Sequence, residues 1–425
     1  MTEPPLSEKN DPNQNLEFYG PTTGVAALKY RDMRLLILGK IFGWISLHMV
    51  IVAIGYQVYD VTGDVKNLAY IGLAIFAPAF GFALITGYVA DLFDRKSVIV
   101  VCYCIILISC LMFLWWSLGE KSEVWPVFGT LALFGTGRAF YQPAANSLVP
   151  NLVPINVFPN AVAWHTSTNK IAQMSGPALG GIVYLLGPEI VYGSAAAGML
   201  IGALLTSLIR TRTTRGDRQP TTWKVLLSGL RYVYDKKIIF GAITLDLFVV
   251  LLGGVTALLP VFAKDILDVG AIGAGLMRSA IAVGSLGTGL ALTQINMNRS
   301  VGTILYISVL VFGAATILFG FSTVFWLSMV AMVIVGIGDM VSVYIRVTLV
   351  QIATPDDMRG RVSAVNSVFT GASNEIGEFR AGMMANAIGA VPAVLFGGIG
   401  CFVVAGLCWL VFPDLRRVQR MDREL

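Results

Sequence analysis

Apolar residues in this chain come mostly in runs of about 20, broken by short polar or Gly/Pro-containing segments rather than arranged in stripes. A run of that length crosses the ~30 Å hydrocarbon core of a bilayer as an α-helix rising about 1.5 Å per residue. The runs lack the period-2 alternation of a membrane β-barrel strand. Breaking the chain at charged or Pro/Gly-rich positions predicts twelve spans: 35–59, 68–90, 98–118, 124–148, 161–186, 190–209, 238–262, 272–293, 301–321, 324–348, 362–388 and 391–412. The expected fold is therefore an all-α membrane protein of twelve transmembrane helices. A cytoplasmic tail (1–34) precedes a six-helix bundle (35–209). A basic linker (210–237), a second bundle (238–412) and a second cytoplasmic tail (413–425) follow.

Composition strengthens this reading. With 56% hydrophobic and 13% charged residues and a mean hydropathy of +0.74, the chain has too little polar surface to cover a water-soluble globule. The net charge of +5 matters through its placement: of the 30 Lys and Arg, 21 fall in the tails and connections of one side and 3 on the other. Lys and Arg concentrate on cytoplasmic connections, so both termini are expected in the cytoplasm. The first thirty residues show no basic start leading into a short apolar core, so no cleaved signal peptide is expected. Within the linker, 222–237 reads as an amphipathic helix lying on the anionic inner leaflet; a merely solvated linker is the alternative. Cys102, Cys104, Cys110, Cys401 and Cys408 lie in apolar runs without metal-site spacing, and are expected as buried thiols without disulfides or metal.

The two halves resemble each other. Sliding the chain by 201 residues aligns 131–181 with 332–382, and the identities concentrate on Gly and Pro, among them Gly135/Gly336, Gly137/Gly338, Pro154/Pro355, Gly176/Gly377 and Gly181/Gly382. An internal duplication of a six-helix unit explains matches at positions where backbone shape is dictated. The same offset pairs Arg138 with Asp339, both near mid-membrane.

A charge at that depth costs about 3 kcal/mol on insertion scales, so it is a functional hypothesis by default. Arg138 and Asp339 are expected to face each other across a wet cavity and couple protons to substrate; a structural ion pair is the alternative. In span eleven, Glu375 and Glu378 are three apart and share a face, overlapped by Asn374. Two carboxylates so close in low dielectric do not both ionise cheaply, which suits a proton-carrying site; the alternative is a polar seam in which Arg380 neutralises one of them. Asp246 reads equally as a second protonation site or as an interfacial acid paired with a linker base. His48, His165, Lys170, Gln173 and Asn374 are candidates to line the substrate cavity, with ordinary hydrogen-bonding roles for the histidines as the alternative. Lys40 and Arg278 are expected to snorkel to the interface. Gly87, Asp91 and Arg95, in the connection between spans two and three, suit a conformational latch. Gly176, Pro177, Gly180 and Gly181 put a kink and a close helix crossing in span five.

With these residues in place, the chain resembles the major facilitator superfamily over 35–413. Gly87-x-x-x-Asp91-x-x-Asp94-Arg95-Lys96 resembles the superfamily's signature between helices two and three. Arg138 sits where its fourth-helix arginine is found, and Gly176-Pro177-x-x-Gly180-Gly181 resembles its fifth-helix antiporter signature. Segments such as 137–144, 354–367 and 372–382 resemble the enterobactin-exporter-like branch of drug and siderophore efflux proteins. Leu92 and Asp94 depart from the loop signature. The resemblance implies proton-driven export by alternating access in a bacterial inner membrane. Asp91 and Arg95 would act in the latch, Arg138 in coupling, and the Gly-Pro kink against leak.

The leading expectation is thus a monomeric, multi-pass secondary transporter that exchanges protons for a small amphiphilic molecule, siderophore or drug-like. The lipid bilayer is its solvent and the proton gradient its energy source, with no cofactor, nucleotide or nucleic-acid partner. Lysophospholipid flipping is the transport alternative, and a non-transporting sensor or receptor the alternative from another class. An enzyme is not expected: two histidines, without H-E-x-x-H or G-x-S-x-G, supply no catalytic constellation, and no phosphate-binding G-x-x-x-x-G-K-[ST] supports nucleotide-driven pumping.

Overall fold

Helices account for most of the described backbone. The computed structural model describes residues 24–82, 85–86, 89, 92–119, 123–211, 223–294 and 300–420, and among these there is no strand. The first lobe comprises α1 (Arg31–Thr62), α2 (Lys66–Gly81), α3 (Arg95–Leu118), α4 (Trp125–Leu148), α5 (Phe158–Val183) and α6 (Pro188–Ser207). A linker helix, α7 (Trp223–Asp235), precedes the second lobe of α8 (Lys237–Gly253), α9 (Gly270–Leu292), α10 (Val301–Phe321), α11 (Phe325–Ile352), α12 (Asp356–Ile388) and α13 (Ala390–Val411).

Among the described residues, eight segments are long and apolar enough to cross a membrane: α1, α3, α6, α9, α10, α11, α13 and the stretch Lys237–Ile266. Their outer faces carry the side chains that lipid solvates. On α3 alone, Val101, Ile108, Leu111, Met112 and Trp115 are exposed, whereas Cys102, Ile106, Cys110 and Phe113 are buried inward. The other long helices, α2, α4, α5 and α12, border the opposite lobe or the space between lobes, where polar residues are less costly than against lipid.

The helix pairings repeat between lobes. In the first, α1 packs on α5 and α6, α3 on α4 and α6, and α2 on α4; in the second, α8 packs on α12 and α13, α10 on α11 and α13, and α9 on α11. The lobes touch along two seams, α5 with α9 and α2 with α12. Both depend on absent side chains. A Cβ on Gly181 would lie 2.6 Å from the Ala271 carbonyl oxygen, and one on Gly382 would lie 2.8 Å from Ala69 Cβ.

Two elements differ from expectation. The predicted span 238–262 is not one helix: α8 stops at Gly253, and the chain continues through a 3-10 turn (Thr256–Leu258) and a π turn (Phe262–Ile266). Arg380 of α12 occupies the break, its Nε donating to the Leu251 carbonyl at 2.9 Å and Nη2 to that of Leu252 at 2.5 Å, which satisfies carbonyls left free where the helix ends. The linker helix also has a protein partner that was not expected, docking on the second lobe. Val233 is buried among Ile239, Ile243, Val350, Val362 and Val365; Gly229 meets the backbone of Arg361; and Tyr232 Oη donates to the Ala353 carbonyl at 3.0 Å.

Candidate functional site

The molecule has a basic end, where the start of α1 meets the end of α6: Arg31 Nη1 and Lys96 Nζ donate to the carbonyls of Leu208 and Ile209 at 3.2 and 3.0 Å. From that end a cavity of about 430 Å³ runs between the lobes, walled by α2, α4 and α12. Phe76 and Phe80 form an apolar wall, and Gln142, Asn146 and Ser367 provide polar groups. Arg138 and Glu375 lie in its lining and pair across the lobes, Nη1 to Oε1 at 3.5 Å. Both groups keep contact with the cavity, the Arg138 side chain being 39% exposed, so the pair is a loose one that solvent or a ligand can rearrange.

One turn further along α12, Glu378 accepts a hydrogen bond from Thr256 Oγ1 at 2.5 Å. It shares a small chamber of about 50 Å³ with Arg278, Gly72 and Pro260, large enough for water but not for cargo. Glu375 is within electrostatic reach of Arg138, Glu378 and Arg278. Two carboxylates and two guanidiniums contributed by α4, α9 and α12 therefore straddle the line between the lobes.

A second charged cluster belongs to the second lobe. Arg346 Nη2 pairs with Asp246 Oδ2 at 3.1 Å, with side chains 3% and 7% exposed. Arg346 Nη1 also donates to Asn366 Oδ1 at 2.5 Å and Thr370 Oγ1 at 3.3 Å. Asp339 is within electrostatic reach of this pair and of Lys170 from the first lobe, and borders a chamber with Asn374, Thr256 and Phe312.

At the end opposite the basic one, side chains tie the two lobes together. Tyr59 Oη donates to Asp265, and Lys264 Nζ pairs with Asp60 Oδ1 at 2.5 Å, so the last turns of α1 are clasped to the π turn of the second lobe. Lys264 also sits 5.8 Å from the centre of the Tyr59 ring. A π turn spaces its carbonyls and side chains differently from an α turn and often marks a functional position. In α5, the glycine motif works in two directions. Gly176 and Gly180 admit His48 and Met49 of α1, whereas Gly181 and the Pro177 carbonyl abut Ala271 and Gly275 of α9.

Several expectations are corrected by this geometry. Arg138 meets Glu375, not Asp339: helices at matching depth in a duplicated fold present their charges on rotated faces, so depth does not establish contact. Asp246 pairs with Arg346 rather than with a linker base. Arg380 binds carbonyls of α8 and does not neutralise either glutamate. Lys40 does not snorkel; it is fully buried, donating to the His165 carbonyl at 3.0 Å with its ammonium 5.9 Å from the Trp44 ring. Arg278 turns into the inter-lobe chamber instead of the interface. Cys104 is exposed, the other four cysteines buried.

Of the proposed cavity residues, His48 has a buried Nε2 without a partner, and both ring nitrogens of the buried His165 lack one. Lys170 and Gln173 are half-buried on α5, and Asn374 is exposed with its amide on the Thr370 carbonyl. None of these five borders the 430 Å³ cavity. In the latch, Arg95 Nη1 donates to the Ser147 carbonyl at the end of α4 at 2.8 Å; Gly87 and Asp91 lie outside the described residues. Sequence reasoning missed Arg346 and the clasp residues Tyr59, Asp60, Lys264 and Asp265. Arg346 had a signal, a guanidinium two helical turns beyond Asp339. The clasp had only opposite charges at the ends of the first helix of each half.

Two helical lobes around an inter-lobe cavity that holds a charged pair, clasped together at one end, fit a membrane transporter of the major facilitator type. A family model described as transmembrane secretion effector matches residues 22–424, and the chain belongs to that family. It is 21% identical over 394 residues to macrolide efflux protein A of Streptococcus pyogenes, covering 90% of this chain and 96% of the relative. It is 25% identical over 399 residues to the enterobactin exporter EntS of Escherichia coli O1:K1 / APEC, covering 91% and 93%. Among solved structures, a bacterial homologue of the human lysosomal transporter Spinster, in an inward-facing occupied conformation, superposes with a TM-score of 0.71 at 16% identity, covering 92% of this chain and 99% of that one. A bacterial homologue of ferroportin in an inward-facing state also gives 0.71, at 14% identity, covering 91% and 99%. The chain is thus a transporter with efflux relatives and not an enzyme.

Proposed function

We propose that the chain is a twelve-span, proton-coupled exporter of a small amphiphilic molecule in the bacterial inner membrane, with both termini and the open cavity on the cytoplasmic side. The observation that carries this reading is the placement of Glu375 and Glu378 on one face of α12, between Arg138 and Arg278, with Glu375 in the lining of the inter-lobe cavity. The skewed Lys and Arg count supports the orientation. An amphiphile meets Phe76 and Phe80 with its apolar part and displaces Glu375 from Arg138 with its polar part. Closely spaced carboxylates favour a shared proton, so cargo and proton occupancy are linked through the same charges. The lobes then rock on the α5–α9 and α2–α12 seams, the Tyr59–Asp265 and Asp60–Lys264 contacts part, and cargo leaves on the far side. Relatives named for macrolide efflux and enterobactin export favour this reading over lysophospholipid flipping and over a non-transporting sensor.

The test is uptake of a macrolide and of a catecholate siderophore into everted membrane vesicles containing or lacking the chain. Uptake of at least one compound should depend on the chain and collapse when a protonophore is added. Chain-dependent uptake unchanged by the protonophore would refute proton coupling, and no chain-dependent uptake of either compound would refute the substrate class.

A further inference from the structure

An apolar groove lies outside the transport pathway, between the linker helix and the second lobe. It holds about 650 Å³ and is lined by Leu230, Val233 and Tyr234 of α7, by Phe240, Ile243, Thr244, Leu247 and Phe248 of α8, and by Phe369 of α12. The Tyr234 and Phe248 side chains are largely exposed along it. Arg231 borders the same groove, and Lys236 and Lys237, both exposed, form the connection between α7 and α8 at its mouth. Among the described residues of this helix and connection, one exposed carboxylate, Asp235, stands against these three basic groups.

This combination recurs nowhere else among the cavities already described. The inter-lobe cavity mixes charged and polar groups with apolar ones, whereas here the interior offers essentially hydrocarbon contact and the cations sit only at the rim. An empty apolar space of this size loses dispersion contacts on every wall, and at the edge of a helix bundle in a membrane the neighbouring hydrocarbon is lipid. The linker helix explains why the groove exists: its Val233 and Gly229 faces dock on α12, but its Leu230 and Tyr234 face spans open space toward α8. The rim charge explains which lipid fits. Basic groups at the surface attract anionic headgroups, at about 1 kcal/mol each.

We infer that this groove is a binding site for an anionic glycerophospholipid, one acyl chain lying between α7 and α8 and the phosphate headgroup facing Arg231, Lys236 and Lys237. The lipid fills the space under the linker helix and so ties that helix to the second lobe. The site uses none of the residues assigned to cargo or proton handling.

Native mass spectrometry of the full-length, detergent-purified chain, titrated with phosphatidylglycerol or with phosphatidylcholine of the same acyl chains, tests this. Wild-type protein should retain phosphatidylglycerol in preference to phosphatidylcholine. Arg231→Gln should reduce that preference about fivefold, the factor corresponding to ~1 kcal/mol per basic group, and leave phosphatidylcholine retention unchanged. Thr244→Trp, which fills the groove, should lower retention of both lipids; Leu247→Trp is the second filling variant if the first does not fold. Equal retention of the two lipids by wild type would overturn the proposal, as would unaltered retention in a folded filling variant. Displacement of the bound phosphatidylglycerol by a transported dye would also overturn it, by making the groove a cargo entrance.

Discussion

Replacing Asp246 by Asn should be among the most destabilising single changes available in the second lobe. The pair it breaks is almost fully withdrawn from solvent: Asp246 and Arg346 are 7% and 3% exposed and 3.1 Å apart. Arg346 already has an Nε with no partner, and its remaining bonds are to the neutral Asn366 and Thr370. Without the carboxylate, a buried guanidinium is left with no counter-charge in direct contact, and such a loss costs about 3–5 kcal/mol. At roughly 2–4 °C per kcal/mol for a unit of this size, the melting temperature should fall by about 6–20 °C. Asp246→Leu combined with Arg346→Met removes both charges together and should recover most of the loss, because the desolvation penalty of both ions disappears with them. The assay is thermal unfolding of detergent-purified protein followed by size-exclusion fluorescence, read as a double-mutant cycle. A drop under about 2 °C for Asp246→Asn, or additive losses in the double variant, would refute the assignment of a dry, mutually dependent pair.

Other predictions concern the seams and the clasp. Gly181→Ala puts a methyl 2.6 Å from the Ala271 carbonyl oxygen and 3.0 Å from Ile272 Cα, so the α5–α9 seam must spread at a cost of about 1–3 kcal/mol. A cysteine substituted at Ala274, buried under the clasped end, should then react faster with a membrane-impermeant maleimide; an unchanged rate would contradict the close crossing. Asp60→Asn and Lys264→Gln should show a coupling of about 0.2–1 kcal/mol that shrinks as salt is raised, since both side chains are partly exposed. A coupling well above that range, insensitive to salt, would mean that the clasp is shielded from water.

The architecture was legible because lipid imposes one strong rule: the backbone must be satisfied within each span, so apolar runs of about 20 residues become helices. Helix existence followed from those runs, and the repeated helix pairings are the ones a duplicated unit would make. Local breaks were harder. Gly253-Gly254 sits in an unbroken apolar stretch, and only the approach of Arg380 from a distant helix shows why α8 ends there. The site was legible in its members more than in its pairings. Arg138, Glu375, Glu378 and Asp246 were all singled out by the cost of placing charge in lipid, but which one meets which depends on how each helix is rotated about its axis. That rotation is set by packing contacts such as Gly135 on Ile75 and Gly377 on Val250, which leave no trace in the local pattern. The linker helix was recognised from its amphipathic spacing, whereas its docking partner was not, because an apolar stripe fits a protein surface as well as a leaflet.

The central claim, that the α12 carboxylates carry the coupling proton, is tested most directly in proteoliposomes holding a pH gradient. Wild-type protein should accumulate cargo against its gradient when the pH difference is imposed. The Glu375→Gln, Glu378→Gln double variant should lose that accumulation and keep cargo exchange down its own gradient, since Gln keeps the shape of Glu and the lobe seams are unaltered. Wild-type pH-driven accumulation by the double variant would contradict the account.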